Sequence, residues 1–197
     1  MLCKIFLRIH KGNGRLDVGI RLKSVRKKHG LSQRELAKRA GVTNSTISMI
    51  EKNSVSPSVS SLKKVLAGIP MSMVEFFSEE SQEGTDIAVI YRYNDLLDLS
   101  LQDVQFKLVG KSYGKRAMAF LEEIYAPGSD TGEDMLAHVG EEAGIVISGK
   151  LEVTVNDGIH ILEPGDSYYF DSTRAHRFRN PFDEPCKLIS ATTPANF

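Results

Sequence analysis

Residues 31–62, LSQRELAKRAGVTNSTISMIEKNSVSPSVSSL, constrain the fold more than any other stretch of the chain. Ala37, Gly41 and Ile47 form a steric pattern within it. The small residue lets two helices cross closely, the glycine supplies a tight turn with positive φ, and the isoleucine returns the apolar side of the next helix to a core. Local signals agree. Ser32 and Glu35 have capping-box spacing, Thr43 stands where a second helix would begin, and Ser56-Pro57-Ser58 marks another break and restart. Ile20, Leu22 and Val25 extend the helical spacing upstream to a stop at Gly30. Leu62, Val65 and Leu66, then Met73, Val74, Phe76 and Phe77, extend it downstream. The expectation is roughly five helices between residues 17 and 78.

This pattern resembles the phage-repressor-like helix-turn-helix family over about residues 16–78. The resemblance implies that the second helix of the motif lies in the major groove of DNA through its N-terminal residues. The positions that correspond here are Asn44, Ser45 and Met49, with Thr46 near a phosphate and Thr43, the cap, counted with them as DNA-binding. Gln33 stands at the start of the preceding helix, and Lys52 and Asn53 follow the recognition helix where backbone contacts are common. Asn pairs bidentately with adenine, and Ser serves either kind of base edge. The resemblance also implies an Arg26–Glu51 salt bridge, structural rather than DNA-contacting. One such module covers few base pairs, so a homodimer on a palindromic double-stranded operator is expected.

Charge separates the chain into two parts. Residues 1–78 carry 15 Lys and Arg against 4 Asp and Glu, a net +11, whereas residues 79–197 carry 10 against 21, a net −11. A basic module joined to an acidic one is the asymmetry expected when only the first faces phosphate. Cys3 and Cys186 match no metal-binding or redox spacing, which suits a reducing cytoplasm. Lys4, Arg8 and His10 interrupt the apolar run of the first residues, so residues 1–15 read as a tail rather than a signal peptide. No stretch is apolar enough to span a bilayer, and no membrane partner is expected.

Residues 78–86, SEESQEGTD, are polar and without apolar periodicity and read as linker, within a connecting segment taken as 79–110. From there the pattern becomes short strands with turn punctuation: AMAFLEEIYA (117–126), GIVISGKLEVTV (144–155), HIL (160–162), SYYF (167–170), HRFRN (176–180) and CKLISATT (186–193). Such spacing predicts a β-barrel or sandwich. Two clusters, Gly132-His138-Glu142-Gly149 and Gly165-Asp166-His176-Asn180, resemble the two cupin motifs. The resemblance implies a double-stranded β-helix barrel over 111–197 with a ligand or metal site inside. One family histidine is replaced by Leu136, leaving His138, Glu142 and His176. Two histidines and a carboxylate suit a divalent metal such as Zn, Fe, Ni or Mn. The alternative is a metal-free pocket that hydrogen-bonds an organic ligand, so no cofactor is required.

SPSVSSLKKVL, MSMVEFFSEE, TGEDMLAHVGEEAGIVISGKLEVTVNDG and LISATTPANF together resemble the helix-turn-helix plus cupin regulators that repress putrescine utilisation. The resemblance implies a multi-domain α + β protein: a tail (1–15), a five-helix DNA-binding head (16–78), a connecting segment (79–110) and a cupin sensing domain (111–197). It implies a transcriptional repressor, not an enzyme, whose small-molecule effector is a polyamine such as putrescine or a related amine. Ammonium groups call for carboxylates and aromatic faces. Glu133, His138, Glu142, Tyr168, Phe170 and His176 are the ligand candidates, with Tyr169 and Asp171 alongside, and strand alternation lets only half of residues 168–171 face inward. Two other functions compete: a metal-dependent cupin enzyme tethered to a DNA-binding domain, and a DNA-binding protein whose cupin only dimerises.

Overall fold

The computed structural model describes residues 17–78, 88–110, 113 and 116–195. The expected tail and residues 79–87 of the expected linker lie outside them. Five helices form the N-terminal head: α1 (Val18–Lys28), α2 (Gln33–Ala40), α3 (Asn44–Glu51), α4 (Val59–Ala67) and α5 (Met73–Phe77). Each starts where a side chain caps it. Asp17, Ser32, Thr43, Ser58 and Ser72 accept from the amides of Ile20, Glu35, Thr46, Ser61 and Glu75. The capping box anticipated at Ser32 is only half made, because the Glu35 carboxylate pairs with Arg39 at 2.9 Å instead. Ser72 and Glu75 make the complete box. Gly41 takes φ +64° between α2 and α3, the left-handed turn that the motif requires. Leu22, Leu36, Ile47, Leu62, Leu66 and Phe76 form the buried centre of the head.

Nine strands follow: β1 (Leu97–Asp98), β2 (Val104–Leu108), β3 (Ala119–Tyr125), β4 (Glu141–Ser148), β5 (Leu151–Val155), β6 (Gly158–Leu162), β7 (Ser167–Asp171), β8 (His176–Arg179) and β9 (Cys186–Thr193). The larger sheet has the order β1-β2-β3-β9-β4-β7 and the smaller one β6-β5-β8, with all named pairs antiparallel. Asn156 at φ +51° turns β5 into β6, as an Asn-Asp-Gly tight turn demands. The connecting segment expected over 79–110 is not all connection. Val104, Phe106 and Leu108 alternate with Gln105 and Lys107, and β2 buries the first set while pairing with β3.

Head and barrel are joined through α4 and the turn before it. The Ser60 amide donates to the Thr131 carbonyl at 3.0 Å, and Gln102 Nε2 donates to the Ser56 carbonyl at 2.5 Å. A cleft of about 580 Å³ lies along this junction, bordered by Ser60, Lys63, Leu66 and Met71 on the head and Leu136 and His138 on the barrel. Among the described residues, no helix is long and apolar enough to cross a membrane.

Candidate functional site

Two surfaces carry the chemistry. The first is the N-terminal half of α3. Asn44 and Ser45 are exposed, Thr46 is partly buried, Met49 is 39% exposed, and Lys52 is exposed just past the helix. Ile47 and Ile50 hold the opposite face in the core. Thr43 is occupied as the cap, accepting from the Thr46 amide at 3.1 Å while its hydroxyl meets that of Thr46 at 2.8 Å.

Two of the expected DNA contacts have structural duties. Gln33 Nε2 donates to Glu51 Oε2 at 2.8 Å. Asn53, at φ +54°, accepts from the Gly19 amide at 3.1 Å and donates to both Asp17 oxygens at 2.9 Å. It fastens the start of α1 to the end of α3. Beneath them, Arg26 Nε and Nη2 bond Glu51 Oε1 and Oε2 at 2.5 and 2.9 Å, and Arg26 Nη1 reaches the Leu31 carbonyl at 2.7 Å. Burial alone would raise the Glu51 pKa, but the bonds from Arg26 and Gln33 hold it below the ordinary value.

The second surface is the barrel interior. Strand alternation settles the residues of β7: Phe170 is buried and Tyr168 partly so, whereas Tyr169 and Asp171 point outward. Gly144 makes room for Tyr168, since a Cβ there would lie 2.7 Å from its ring. The phenol thereby crosses the strand to meet Glu142 Oε1 at 3.4 Å. His138 Nε2 and His176 Nε2 lie 3.6 and 3.5 Å from Glu142 Oε2. The Phe170 ring stands 5.1 Å from the His176 ring.

Glu133 is not among them. It is exposed and borders a separate cleft of about 350 Å³ with Ser61, Gln102 and Asp130, because it follows Gly132 on the turn that meets the head. Leu136, in place of the family histidine, is buried and bridges His176 through both backbone bonds at 2.8 Å.

Hydrogen bonding fixes what the pocket wants. His176 Nδ1 lies 2.8 Å from the Arg174 carbonyl, which can only accept, so Nδ1 carries the proton and Nε2 presents a lone pair. Burial lowers the His176 pKa, with Glu142 pulling the other way. The Nε2 atoms of His138 and His176 are buried and have no hydrogen-bond partner. Lone pair and carboxylate therefore face each other and call for a positively charged or hydrogen-donating guest.

Two residues not anticipated from the sequence complete the pocket. Glu123, on the buried face of β3, accepts from Tyr125 at 2.9 Å and from Ser190. Burial lifts its pKa to about 7, Ser190 works against that, and the Glu142 charge adds to it. The signal was present, since Ala119, Leu121, Glu123 and Tyr125 fall on one face by alternation. Lys63 of α4 is the other: it borders the cleft beside His138, and burial lowers its pKa while Glu142 and then Glu123 work against that.

Comparison with known proteins gives two domain matches, Helix-turn-helix over residues 22–76 and Cupin domain over 121–192. The chain is 39% identical over 182 residues to the HTH-type transcriptional regulator PuuR of Escherichia coli, covering 92% of this chain and 97% of that protein. It is 39% identical over 70 residues to the HTH-type transcriptional regulator SinR of Bacillus subtilis, covering 35% of this chain and 63% of that one. An HTH_3 family transcriptional regulator from Vibrio cholerae shares the fold at a TM-score of 0.63 and 20% identity, over 90% of this chain and 94% of that structure.

Proposed function

The chain belongs to the helix-turn-helix plus cupin transcriptional regulators, proteins that act on DNA rather than as enzymes, and we propose that it is a cytoplasmic repressor released by a small cationic metabolite of the polyamine class. The observation that carries the sensing half is the pocket of His138, Glu142, His176 and Glu123. It is aromatic on one side and acceptor-rich on the other, and it stands beside the helix that fastens the head. A protonated amine offers the charge and the N–H donors that such a pocket lacks. The resemblance to repressors of putrescine utilisation supports the same class of ligand.

In this reading Asn44, Ser45 and Met49 meet base edges, with Thr43, Thr46 and Lys52 against phosphates. The +11 charge of residues 1–78 supports that assignment. Two copies are needed to span a palindrome, and the outer face of the larger sheet supports a homodimer. Phe120, Ile145, Ile147 and Tyr169 are 45, 41, 49 and 70% exposed there. Binding in the barrel would then change how the two heads are held, provided the ligand discriminates between the two arrangements by a few kcal/mol.

A second occupant has its own support. The ligand atoms of His138, Glu142 and His176 lie within 4.8 Å of one another, and two are orphaned imidazole nitrogens, a donor set that fits a divalent metal. Such an ion would supply a Lewis-acidic anchor for a ligand oxygen or nitrogen. Elemental analysis of protein purified without chelator or histidine tag separates the two occupants, because stoichiometric metal excludes an amine from the same atoms. The sensor reading is tested by thermal-shift and operator gel-shift titrations with diamines and related metabolites. Operator binding indifferent to every small molecule would leave the barrel with dimerisation alone.

A further inference from the structure

The junction cleft of about 580 Å³ and the acceptor cluster inside the barrel have one residue in common. Among the described residues, His138 borders the cleft and also places its Nε2 with Glu142 and His176. The cluster opens on that side: the His138 and Glu142 side chains are 19 and 13% exposed, whereas that of His176 is fully enclosed. The segment that carries His138 is pinned to the barrel rim. Leu136 exchanges both backbone bonds with His176, and the His138 amide donates to the Ser172 carbonyl, each at 2.8 Å. A guest reaching the cluster therefore comes in past His138, from the cleft.

The cleft has the size and walls of a ligand site. Its volume falls in the range of about 300–1,000 Å³ usual for small-molecule pockets, and it lies where two packed units meet, a common place for them. Leu66, Ala67 and Met71 give it an apolar wall on the head, and Met135 and Leu136 supply one from the barrel. Charge sets a direction along it. Lys63 and Lys64 stand on the α4 side, and Lys64 bonds Asp134 across the cleft at 3.1 Å. An ammonium group is favoured at the barrel end, where Glu142 and the proton-free nitrogen of His176 accept, with a hydrocarbon chain in the middle. The Lys64–Asp134 pair is largely in water and worth little, so Asp134 is a rim carboxylate that a second ammonium takes over at small cost.

We propose that the junction cleft is the outer half of the effector site. An aliphatic amine places its ammonium group past His138 at the Glu142 acceptors, its chain lies between the apolar walls of head and barrel, and the bound ligand locks the head against the barrel. This rests on the reading of the barrel as a sensor and deepens it, because the head itself supplies part of the ligand site. A ligand that touches both walls stabilises the arrangement in which they stand together, so it tightens docking. An operator that requires the heads in another arrangement then weakens ligand binding by the same factor by which the ligand weakens the operator complex. Release needs no signal through the barrel wall, since locked heads that cannot reach both half-sites together lose the bivalent contact.

The test is calorimetric titration of the full chain with 1,4-diaminobutane, set beside Ala67→Trp and Met71→Ala. Both residues belong to the head and neither to the acceptor cluster; Ala67 is exposed, so a larger side chain there fills the cleft without entering a core. The expected result is binding weaker by about tenfold or more in Ala67→Trp, which blocks the cleft, and by several-fold in Met71→Ala, which removes part of its apolar wall. Melting curves of the two variants should match that of the unsubstituted chain. In the unsubstituted chain, saturating diamine should slow hydrogen exchange at the Ser60 amide, which bonds Thr131 across the junction, on the order of tenfold, a readout that needs no variant to fold. Equal affinity in both variants, no binding to any chain, or Ser60 exchange unchanged or faster with diamine overturns the proposal. Failure of the sensor reading looks different: binding and slowed exchange are present, yet operator binding ignores the diamine.

Discussion

The amide of Ser60 and the carbonyl of Thr131 meet at 3.0 Å, a backbone bond between the DNA-binding head and the barrel. Gly132 makes that approach possible. It sits at φ +128°, and a Cβ there would lie 2.0 Å from Ser60 Oγ and 2.7 Å from Ser58 Oγ. Gly132→Ala therefore brings a backbone conformation that L-residues avoid together with a collision at the junction. Hydrogen exchange at Ser60 should accelerate by about tenfold or more, equivalent to ~1.4 kcal/mol lost from docking. The amides of the α1 core, remote from the junction, should keep their protection. Unchanged exchange at Ser60 would mean that the junction is not closed in solution.

On DNA, Asn44→Ala should cost about 1–3 kcal/mol of operator affinity while leaving weak, salt-sensitive binding intact, since phosphate contacts carry the latter. Lys52→Ala should instead weaken all sequences alike and lower the salt slope by about one unit. Asn53→Ala is expected to act through stability. Its side chain joins the Gly19 amide and Asp17, so the head should melt at a lower temperature, with specificity preserved in whatever remains folded. Gel shifts on operator and on scrambled DNA, with parallel melting curves, separate the three. An Asn44→Ala protein with unchanged discrimination would remove the base contact.

The head was legible in the sequence because its signals are local. A cap, a glycine turn and helical spacing each act within a few residues, and Ser32, Thr43, Ser58 and Gly41 do as their chemistry dictates. The His138-Glu142-His176 cluster was legible because its spacing survives where the segment leading into β4 faces the start of β8 across the barrel. Alternation could also have exposed Glu123, a carboxylate on an otherwise apolar face, and the inward turn of Tyr168. Lys63 could not be found that way. On α4 it is one more polar residue beside Lys64, and only the docking of two distant segments brings it to a cleft shared with Leu136 and His138. Glu133 was misplaced for the complementary reason, since proximity in sequence to the motif does not carry a side chain around the turn at Gly132.

The Arg26–Glu51 pair fixes how the head responds to acid. Its side chains are 9 and 2% exposed, so removing one partner strands the other charge in the core. Glu51→Gln should cost roughly 3 kcal/mol or more in urea unfolding at neutral pH. The wild-type Glu51 pKa is depressed on folding, so its contribution is complete above the unfolded value of about 4.3 and is lost as pH falls through the folded value. The urea midpoint of the head should therefore fall as pH drops below about 5, and Glu51→Gln should flatten that decline. A variant that keeps the full acid dependence would assign it to other carboxylates.

The outer face of the larger sheet makes the last prediction. Ile145 lies across from Ile189, Ala143 from Tyr169 on one side and Ala191 on the other, and Phe120 from Ala191, so these side chains share one face. Glu142, Gly144 and Val146 point the other way, into the barrel. A contiguous apolar sheet face exposed in a single chain fits a second copy of itself, and a palindromic operator calls for two heads. Ile145→Asp should shift sedimentation from dimer to monomer. Because the side chain points outward, barrel stability should change by less than ~1 kcal/mol. Operator affinity should fall by about a hundredfold or more, the loss expected when a bivalent contact becomes a single one. Ligand binding inside the barrel should persist, which distinguishes a lost interface from a damaged fold. Unchanged sedimentation would move the dimer contact to another surface and leave this face for a different partner.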